Sequence, residues 1–298
     1  MTESTSTTLN TDAPAPQEGS GQERKLTGRL AIQIVKWIAI AMSVFQLYTG
    51  FYGELSGAKQ LSVHLTFALL LCYLNFPLAK KFSPTRIPIY DILLALLAAS
   101  ASLYVFVNYE HVAYSVGNPA SYDLIIGGAL ILLVLEATRR SISPILPILT
   151  IIFLIYAYIG PYIPGTLAHR GFGVNRIIDH IFMTGEGLWG VPLRVSSTFV
   201  FLFVLFGAFL ERMGAGEYLI DLSFASMGRF RGGPAKAAVV ASGAMGSISG
   251  SSIANTVTTG SMTIPLMKKV GFKPHAAAAV EVAASTNGQL MPPIMGEA

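Results

Sequence analysis

The sequence predicts an all-α, polytopic membrane protein with a re-entrant helical hairpin and a discontinuous helix. Three observations predict it. Hydrophobic residues make up 52% of the 298 residues against 12% charged, and mean hydropathy is +0.57, the balance of a chain that lives in lipid. Successive apolar runs stand near the length of about 20 residues that crosses a hydrocarbon core, leaving room for roughly six to eight spanning or half-spanning segments. Late in the chain, two stretches of small hydroxylated residues interrupt sequence that is otherwise apolar.

The elements follow in order. Up to about Gln22 the chain is rich in Thr, Ser, Pro and Gly and has no apolar period, which predicts a disordered tail. No early basic region precedes the first apolar run, so that run reads as an uncleaved start-transfer helix. Apolar runs cover about 30–52, 61–79, 88–107 and 121–138. Arg24, Lys25 and Arg29 precede the first, Lys80, Lys81 and Arg86 follow the second, and Arg139 and Arg140 follow the fourth. The intervening connections hold only Lys59 or no basic residue. The positive-inside rule then places the N-terminus and the Arg139–Arg140 loop in the cytoplasm.

A fifth run, about 142–163, stops at "GPYIPG". Residues 174–186 set Ile177, Ile178, Ile181 and Phe182 at helical spacing beside Arg176, Asp179 and His180, which predicts an amphipathic helix along the outer interface. Trp189 suits an anchor at headgroup level. The sixth run, "STFVFLFVLFGAFL" at 197–210, returns to the cytoplasmic side ahead of Arg229, Arg231 and Lys236.

Net charge is +4, yet the basic residues sit in short clusters between apolar runs and form no continuous face, so the partners implied are membrane lipid and no nucleic acid. Cys72 is the only cysteine, which excludes an internal disulfide and a thiolate metal site.

Between Lys236 and Lys268 the chain is apolar enough to enter the membrane, but basic residues stand at both ends. A single crossing would put one cluster outside. At its centre lies "SISGSSIANTVTTG" (247–260), flanked by Ala237–Gly246 and Thr258–Met267. Each flank is about 15 Å long as helix, half of a hydrocarbon core. A hairpin that enters from the cytoplasm, turns at "SISGSSIANT" and returns satisfies charge, length and polarity together. Such a tip is tolerated only where protein buries it or it lines a cavity. Hydroxyl and carbonyl oxygens there suit an alkali cation, and the N–H end of a half-helix suits a carboxylate.

A second break follows. "PHAAAAVEVAASTNGQLMPPIMGEA" starts as an Ala-rich helix, then meets Ser285, Thr286, Asn287, Gly288 and the pair Pro292–Pro293. Two adjacent mid-depth breaks rich in Ser, Thr and Asn point to one shared site, the pattern of a secondary transporter. Glu281, inside an apolar helix, is a functional or paired carboxylate: a proton or cation site, or half of a salt bridge. Asp91, Glu136 and Glu211 near span ends read as packing or interfacial charges, and His275 as a surface residue.

At these residues the chain resembles the permeases of tripartite ATP-independent periplasmic (TRAP) transporters, and above all the fused permeases that work with TAXI-type binding proteins. The likeness is carried by "EATRR", "FGAFLERMGAGEYLIDL", "GRFRGGPAKAAVVASGAMGSISGSSIANTVTTGSMTIPLMKKVGF" and "STNGQLMPPIMGEA" and extends from about residue 30 to the end. It implies a disordered cytoplasmic tail at 1–29, a four-helix scaffold at 30–140 like the small membrane subunit, and the N-terminal part of a transport domain at 141–298, with hairpin 234–270 and broken helix 274–298. It also implies elevator-type alternating access in the cytoplasmic (inner) membrane of a bacterium or archaeon. Sodium would be the coupling ion, and a soluble periplasmic TAXI-type protein would deliver a small organic acid.

Sodium coordination carries over onto Ser249, Ser251, Ser252, Asn255 and Thr256, with Ser285, Thr286, Gly288 and Met291, the last two by backbone carbonyl. Asn255 and Thr256, together with Thr259, Asn287 and Pro292, are the candidates to face substrate. Such permeases hold two inverted halves, and this chain shows one hairpin and one broken helix. It is therefore expected to be the N-terminal portion of a longer permease.

Two other classes are set aside on the residues. A serine hydrolase lacks its elbow in "GSISGSS", and the nearest histidine, His275, is distant in sequence. An ion channel or a non-transporting scaffold remains the alternative to a transporter. No phosphate-binding loop is present, so nothing here supports direct ATP drive or enzymatic activity.

Overall fold

Among the described residues of the computed structural model, five helical segments are long and apolar enough to cross a membrane: Arg29–Tyr52, Ile89–Val107, Ser121–Ser141, Ile145–Tyr162 and Val191–Arg212. The structure describes Arg24, Leu26 and residues 28–78 and 87–292. The expected disordered tail before Arg24, the basic residues Lys25, Lys80, Lys81 and Arg86, and Pro293 lie outside the described residues. Among the described residues every regular element is helical, as an all-α polytopic membrane protein requires.

The first four helices of length are α1 (Arg29–Tyr52), α2 (Ala58–Asn75), α3 (Ile89–Val107) and, after the short α4 (Tyr109–Tyr114), α5 (Ser121–Ser141). α2 coincides with the second apolar run but is less apolar than the five spans. Its first half carries Lys59, Gln60, Ser62, His64 and Thr66, and it sits at the centre of the group, packed against α1, α3 and α5. Several of those polar side chains are spent internally: Gln60 Nε2 donates to Thr49 Oγ1 at 3.3 Å, His64 Nδ1 meets Gln46 Nε2 at 2.5 Å, and Thr66 Oγ1 donates to Ser62 O at 2.7 Å. Ser102 Oγ donates to Ser62 O at 2.9 Å, and Tyr73 Oη donates to Leu133 O at 2.8 Å. Around them Leu61, Leu65, Leu69, Ala98, Val105 and Leu130 form the larger of two hydrophobic cores among the described residues.

At the end where the charge pattern places the cytoplasm, Asp91 is fully buried between Arg24 (2.5 Å) and Arg140 (2.7 Å). Glu136 binds Arg139 and Arg140 at 2.7 Å, and Arg140 lies over the Tyr73 ring. Asp91 and Glu136 are thus packing charges. Arg24, although within the 1–29 segment, is buried and receives Asn75 O as acceptor for its backbone N–H at 2.7 Å.

α6 (Ile145–Ile159) leads through two short 3₁₀ turns to α7 (Val174–Met183). α7 is amphipathic as expected, but its apolar face is covered by α5 and its Asp179 accepts from Gly117 N–H at 3.2 Å. Trp189 departs from its expected place. It is 2% exposed, with its indole N–H on Phe182 O at 2.6 Å, so it closes the first core and does not anchor at the headgroups. A buried indole must find an acceptor, and the carbonyl at the frayed end of α7 is one.

The sixth run begins as α8 (Val191–Val195), widens into a π turn at Ser196–Val200 and continues as α9 (Phe201–Arg212). Gln60 Nε2 donates to Ser197 O at 3.2 Å, filling a carbonyl that the π turn displaces from the regular ladder. α10 (Ala215–Met227), α11 (Gly233–Ser249), α12 (Ser252–Lys269) and α13 (Pro274–Ser285) complete the fold, and α10 packs on both α9 and α11.

Candidate functional site

α11 and α12 form an antiparallel pair with the turn at Gly250–Ser251. Ser242 and Thr259 lie equally far from that turn and meet across it, hydroxyl to hydroxyl, at 3.2 Å. Toward the open end, Met267 packs against Ala238. Lys236 and Lys268 therefore stand at the same end of the hairpin, and the chain doubles back as its charges require. The turn is tighter than "SISGSSIANT" suggested. Only Gly250 and Ser251 leave helical geometry, and the arms run 17 and 18 residues. Gly250 sits in the left-handed region (φ 62°), and its N–H caps Gly246 O at 2.9 Å, so the helix closes abruptly. A side chain there would be strained.

The second break also falls where the sequence put it. α13 ends at Ser285 and tightens into a 3₁₀ turn at Thr286–Gln289, whose Asn287 O accepts from Leu290 and Met291 N–H. This turn crosses α11 backbone to backbone. A Cβ added at Gly246 would stand 2.3 Å from Gly288 Cα, and one added at Gly288 would stand 3.1 Å from Asn255 Nδ2. At Gly246 no side chain fits without moving backbone, and at Gly288 one would crowd the Asn255 amide and Gly246 Cα. Gln289 Nε2 donates to Ser252 Oγ at 3.1 Å, a further tie between the two broken elements.

Asn255 lies at this junction, fully buried. Its Nδ2 donates to Ser242 O at 2.8 Å, which fixes the amide orientation, because only the nitrogen can donate to a carbonyl. Oδ1 of Asn255 and Oγ of Ser249 are then buried with no hydrogen-bond partner among the described residues. Unfilled buried acceptors are costly, and they are the kind of atom that waits for a ligand.

The predicted residues separate here. Ser252, Asn255 and Gly288 meet at the junction, joined by Gln289, which was not among them; Ser249 Oγ is buried at the end of α11 and Ser251 lies in the turn itself. Met291 reaches α11, its Cε 3.4 Å from where a Cβ on Gly243 would lie. Thr256 and Thr286 instead turn their hydroxyls back onto their own helices, to Ser252 O at 2.7 Å and Val282 O at 3.0 Å. Thr286 is exposed and stays outside the buried cluster, and Pro292, the last described residue, is also exposed.

One turn from the junction, toward the open end of the hairpin, lies the carboxyl group that the sequence marked as functional or paired. The carboxylate of Glu281, fully buried on α13, is ringed by hydroxyls from three helices. Ser242 Oγ stands at 3.2 Å and Ser285 Oγ at 3.1 Å from Oε1, with Thr259 Oγ1 on the same oxygen and Thr263 Oγ1 on Oε2. No described basic side chain pairs with it, so the salt-bridge reading of Glu281 finds no partner among the described residues. Gly260 lets the glutamate stem cross α12, since a Cβ there would meet Glu281 Cγ at 3.1 Å. Ser242 and Thr263 went unpredicted. Thr263 had a signal, the (i, i+4) spacing with Thr259 that puts both on one helix face, whereas Ser242 had none.

Residues 129–298, more than half of the chain, match the family model described as tripartite ATP-independent periplasmic transporter, DctM component. The chain belongs to the TRAP transporter large-permease family. Similar proteins named C4-dicarboxylate TRAP transporter large permease protein DctM occur in Vibrio cholerae, 31% identical over 153 residues, and in Rhodobacter capsulatus, 31% identical over 172 residues. The first match covers 49% of this chain and the second 57%, and each covers 34% of the relative. The protein of the same name in Pseudomonas aeruginosa is 40% identical over 91 residues, 30% of this chain and 21% of that one. The chain thus spans about a third or less of the length of these curated relatives. No solved structure gives a significant match. In this TRAP permease the matched region takes in the hairpin, the broken helix and Glu281 together.

Proposed function

We propose that this TRAP permease is the membrane component of a sodium-coupled secondary transporter that imports a small organic acid. The observation that carries the reading is the junction of the hairpin turn with the 3₁₀ break, where Asn255 Oδ1 and Ser249 Oγ lie buried and unfilled beside the Gly246–Gly288 crossing. Hard oxygen atoms in a dry site suit an alkali cation. An ion held there would draw the hairpin turn and the broken helix together and so shape a neighbouring site for a carboxylate, with Asn255, Thr256, Thr259, Asn287 and Pro292 as the residues nearest that role. The relatives in V. cholerae and R. capsulatus are named for C4-dicarboxylates, which supports a carboxylate substrate.

On this reading residues 30–140 are a scaffold resembling the small membrane subunit, fused to a transport domain that begins near 141 and moves past it in an elevator-type cycle. The protein sits in the inner membrane with its N-terminus cytoplasmic, and a periplasmic binding protein of the TAXI type hands over the substrate. The process is transport, with no covalent bond made or broken.

The test is reconstitution of the full-length permease in liposomes with its binding protein. Uptake should follow an imposed sodium gradient. Uptake that is unchanged when sodium is replaced by N-methylglucamine rejects the coupling.

A further inference from the structure

We infer that the first helices hold one anionic phospholipid, with an acyl chain seated in the groove between α1 and α3 and its headgroup at the Arg24 end. The choice of leaflet rests on the orientation proposed above, and the site itself rests on neither sodium nor the transported substrate.

α1 and α3 each pack on α2, and between them runs a groove of about 460 Å³. Leu30, Ile34 and Ile38 form one wall, Ile92 and Leu96 the other, and the buried Leu74 of α2 lies at the floor. Every residue that lines it is apolar. Pockets that hold small ligands run from about 300 to 1,000 Å³, so the space is real and of useful size.

The position of the groove selects its filling. From Leu30 to Ile38 it covers about 12 Å of helix, close to the depth of one leaflet, about 15 Å. α1 and α3 are both spanning helices, and Leu30, Ile34 and Leu96 are exposed, so the groove opens onto hydrocarbon. Left empty it would forfeit dispersion contacts along its length, and water would find no hydrogen-bond partners in it. The chain before Arg24 offers no apolar segment to fill it, since its large apolar residues are Met1 and Leu9. An acyl chain has the length and the chemistry, and seated there it touches three helices at once.

The charge at the Arg24 end selects the headgroup. Arg24 Nη1 donates to the carbonyl of Leu74, a groove residue, at 3.1 Å, and its Nη2 pairs with Asp91, the residue before Ile92. Among the described residues of α1 to α5 and Arg24, the charges at this end are Arg24, Arg29, Arg139 and Arg140 against Asp91 and Glu136, four positive to two negative. The sequence sets Lys25, Lys80, Lys81 and Arg86 beside them against Glu23. The Arg24 and Arg140 side chains are fully buried and act on a headgroup through their field, without contact. Basic residues at the cytoplasmic surface favour anionic lipid by about fivefold per cation.

The experiment compares retention of dioleoyl phosphatidylglycerol and dioleoyl phosphatidylcholine by the purified full-length permease, using native mass spectrometry and spin-labelled forms of both lipids. Wild type is expected to hold one motionally restricted phosphatidylglycerol per permease, favoured over phosphatidylcholine by at least about fivefold. Ile34→Trp, which fills the groove from its rim, should release that lipid, whereas Ile40→Trp, at an exposed position of α1 outside the groove, should retain it. Equal retention of the two lipids by wild type would overturn the proposal, as would equal lipid loss in the two variants. An unchanged lipid count with an altered oligomeric state in Ile34→Trp would also overturn it and make the groove a contact between copies of the chain. Should Ile34→Trp not survive purification, Leu96→Trp on the facing wall decides by the same readings. Sodium-independent uptake would reject the coupling and leave this site standing. Labelling that found the Arg24 end outside would reject the orientation and the leaflet, with the lipid still retained.

Discussion

Replacing Gly246 by Ala and, in parallel, Gly243 by Ala separates close backbone crossing from ordinary helix preference. In a helix interior Ala is favoured over Gly by about 1 kcal/mol, so both changes should stabilise if packing is indifferent. The surroundings differ. At Gly243 the new methyl would meet Met291 Cε at 3.4 Å, the far end of a flexible side chain in ordinary contact. At Gly246 it would stand 2.3, 3.1 and 3.3 Å from Cα, N and C of Gly288, all of them backbone atoms. Carbon atoms in contact prefer about 3.5–4.0 Å, so the 3₁₀ turn must withdraw by more than about 1 Å. Overpacking costs about 1–3 kcal/mol, and with no rotamer to absorb it the upper end applies. Subtracting the helix gain leaves about 2 kcal/mol against the closed junction, close to thirtyfold in its equilibrium. The assays are thermal unfolding of the purified permease and sodium-driven uptake in proteoliposomes. Gly243→Ala should unfold at or slightly above the wild-type temperature and transport normally, while Gly246→Ala should unfold earlier and lose most uptake. Equal behaviour of the two variants would refute the crossing as the organising contact.

Two further outcomes follow from buried polar groups. Asn255→Ala should abolish uptake while leaving expression and membrane insertion at wild-type levels; uptake above about a tenth of wild type would remove Asn255 from the site. Asp91→Ala leaves the fully buried Arg24 without a carboxylate and Arg140 with Glu136 alone, and should destabilise the protein by about 3–5 kcal/mol. Denaturant unfolding in detergent measures the loss, and the double variant Arg24→Met, Asp91→Ala should recover part of it.

Much of this architecture was legible because membranes impose few rules. Run length located five spans out of the six runs expected, the second being too polar to qualify among the described residues, and the basic residues at both ends of 236–268 matched a chain that doubles back. The double break was legible because Gly250 and the Thr286–Gln289 segment are poor helix formers in apolar surroundings. What stayed hidden was set by tertiary contact. Trp189 looked interfacial because tryptophans often are, yet a single indole goes where its N–H finds an acceptor, here Phe182 O. Arg24 looked like tail because nothing local binds it, and Asp91 comes from far along the chain. Ser242 and Thr263 are ordinary small polar residues until the hairpin register brings them to Glu281.

The abundance of serine and threonine in a deep segment follows from the same geometry. Leucines would fill the space between α11, α12 and α13, but they would hold the helices too far apart for Gly246 to cross Gly288, and they would leave Glu281 with no donors. Alanines would permit the approach yet bring no oxygen. Only short hydroxylated side chains both admit close packing and carry an oxygen that satisfies itself on its own helix when no ligand is present, as Thr256 and Thr286 do. A hydroxyl with a fallback partner can release a ligand at little cost, whereas a fixed carbonyl cage without one would be left with unpaired dipoles in a dry interior. On the transport reading proposed above, binding and release must alternate, and the composition of this stretch keeps the polar groups satisfied in both states.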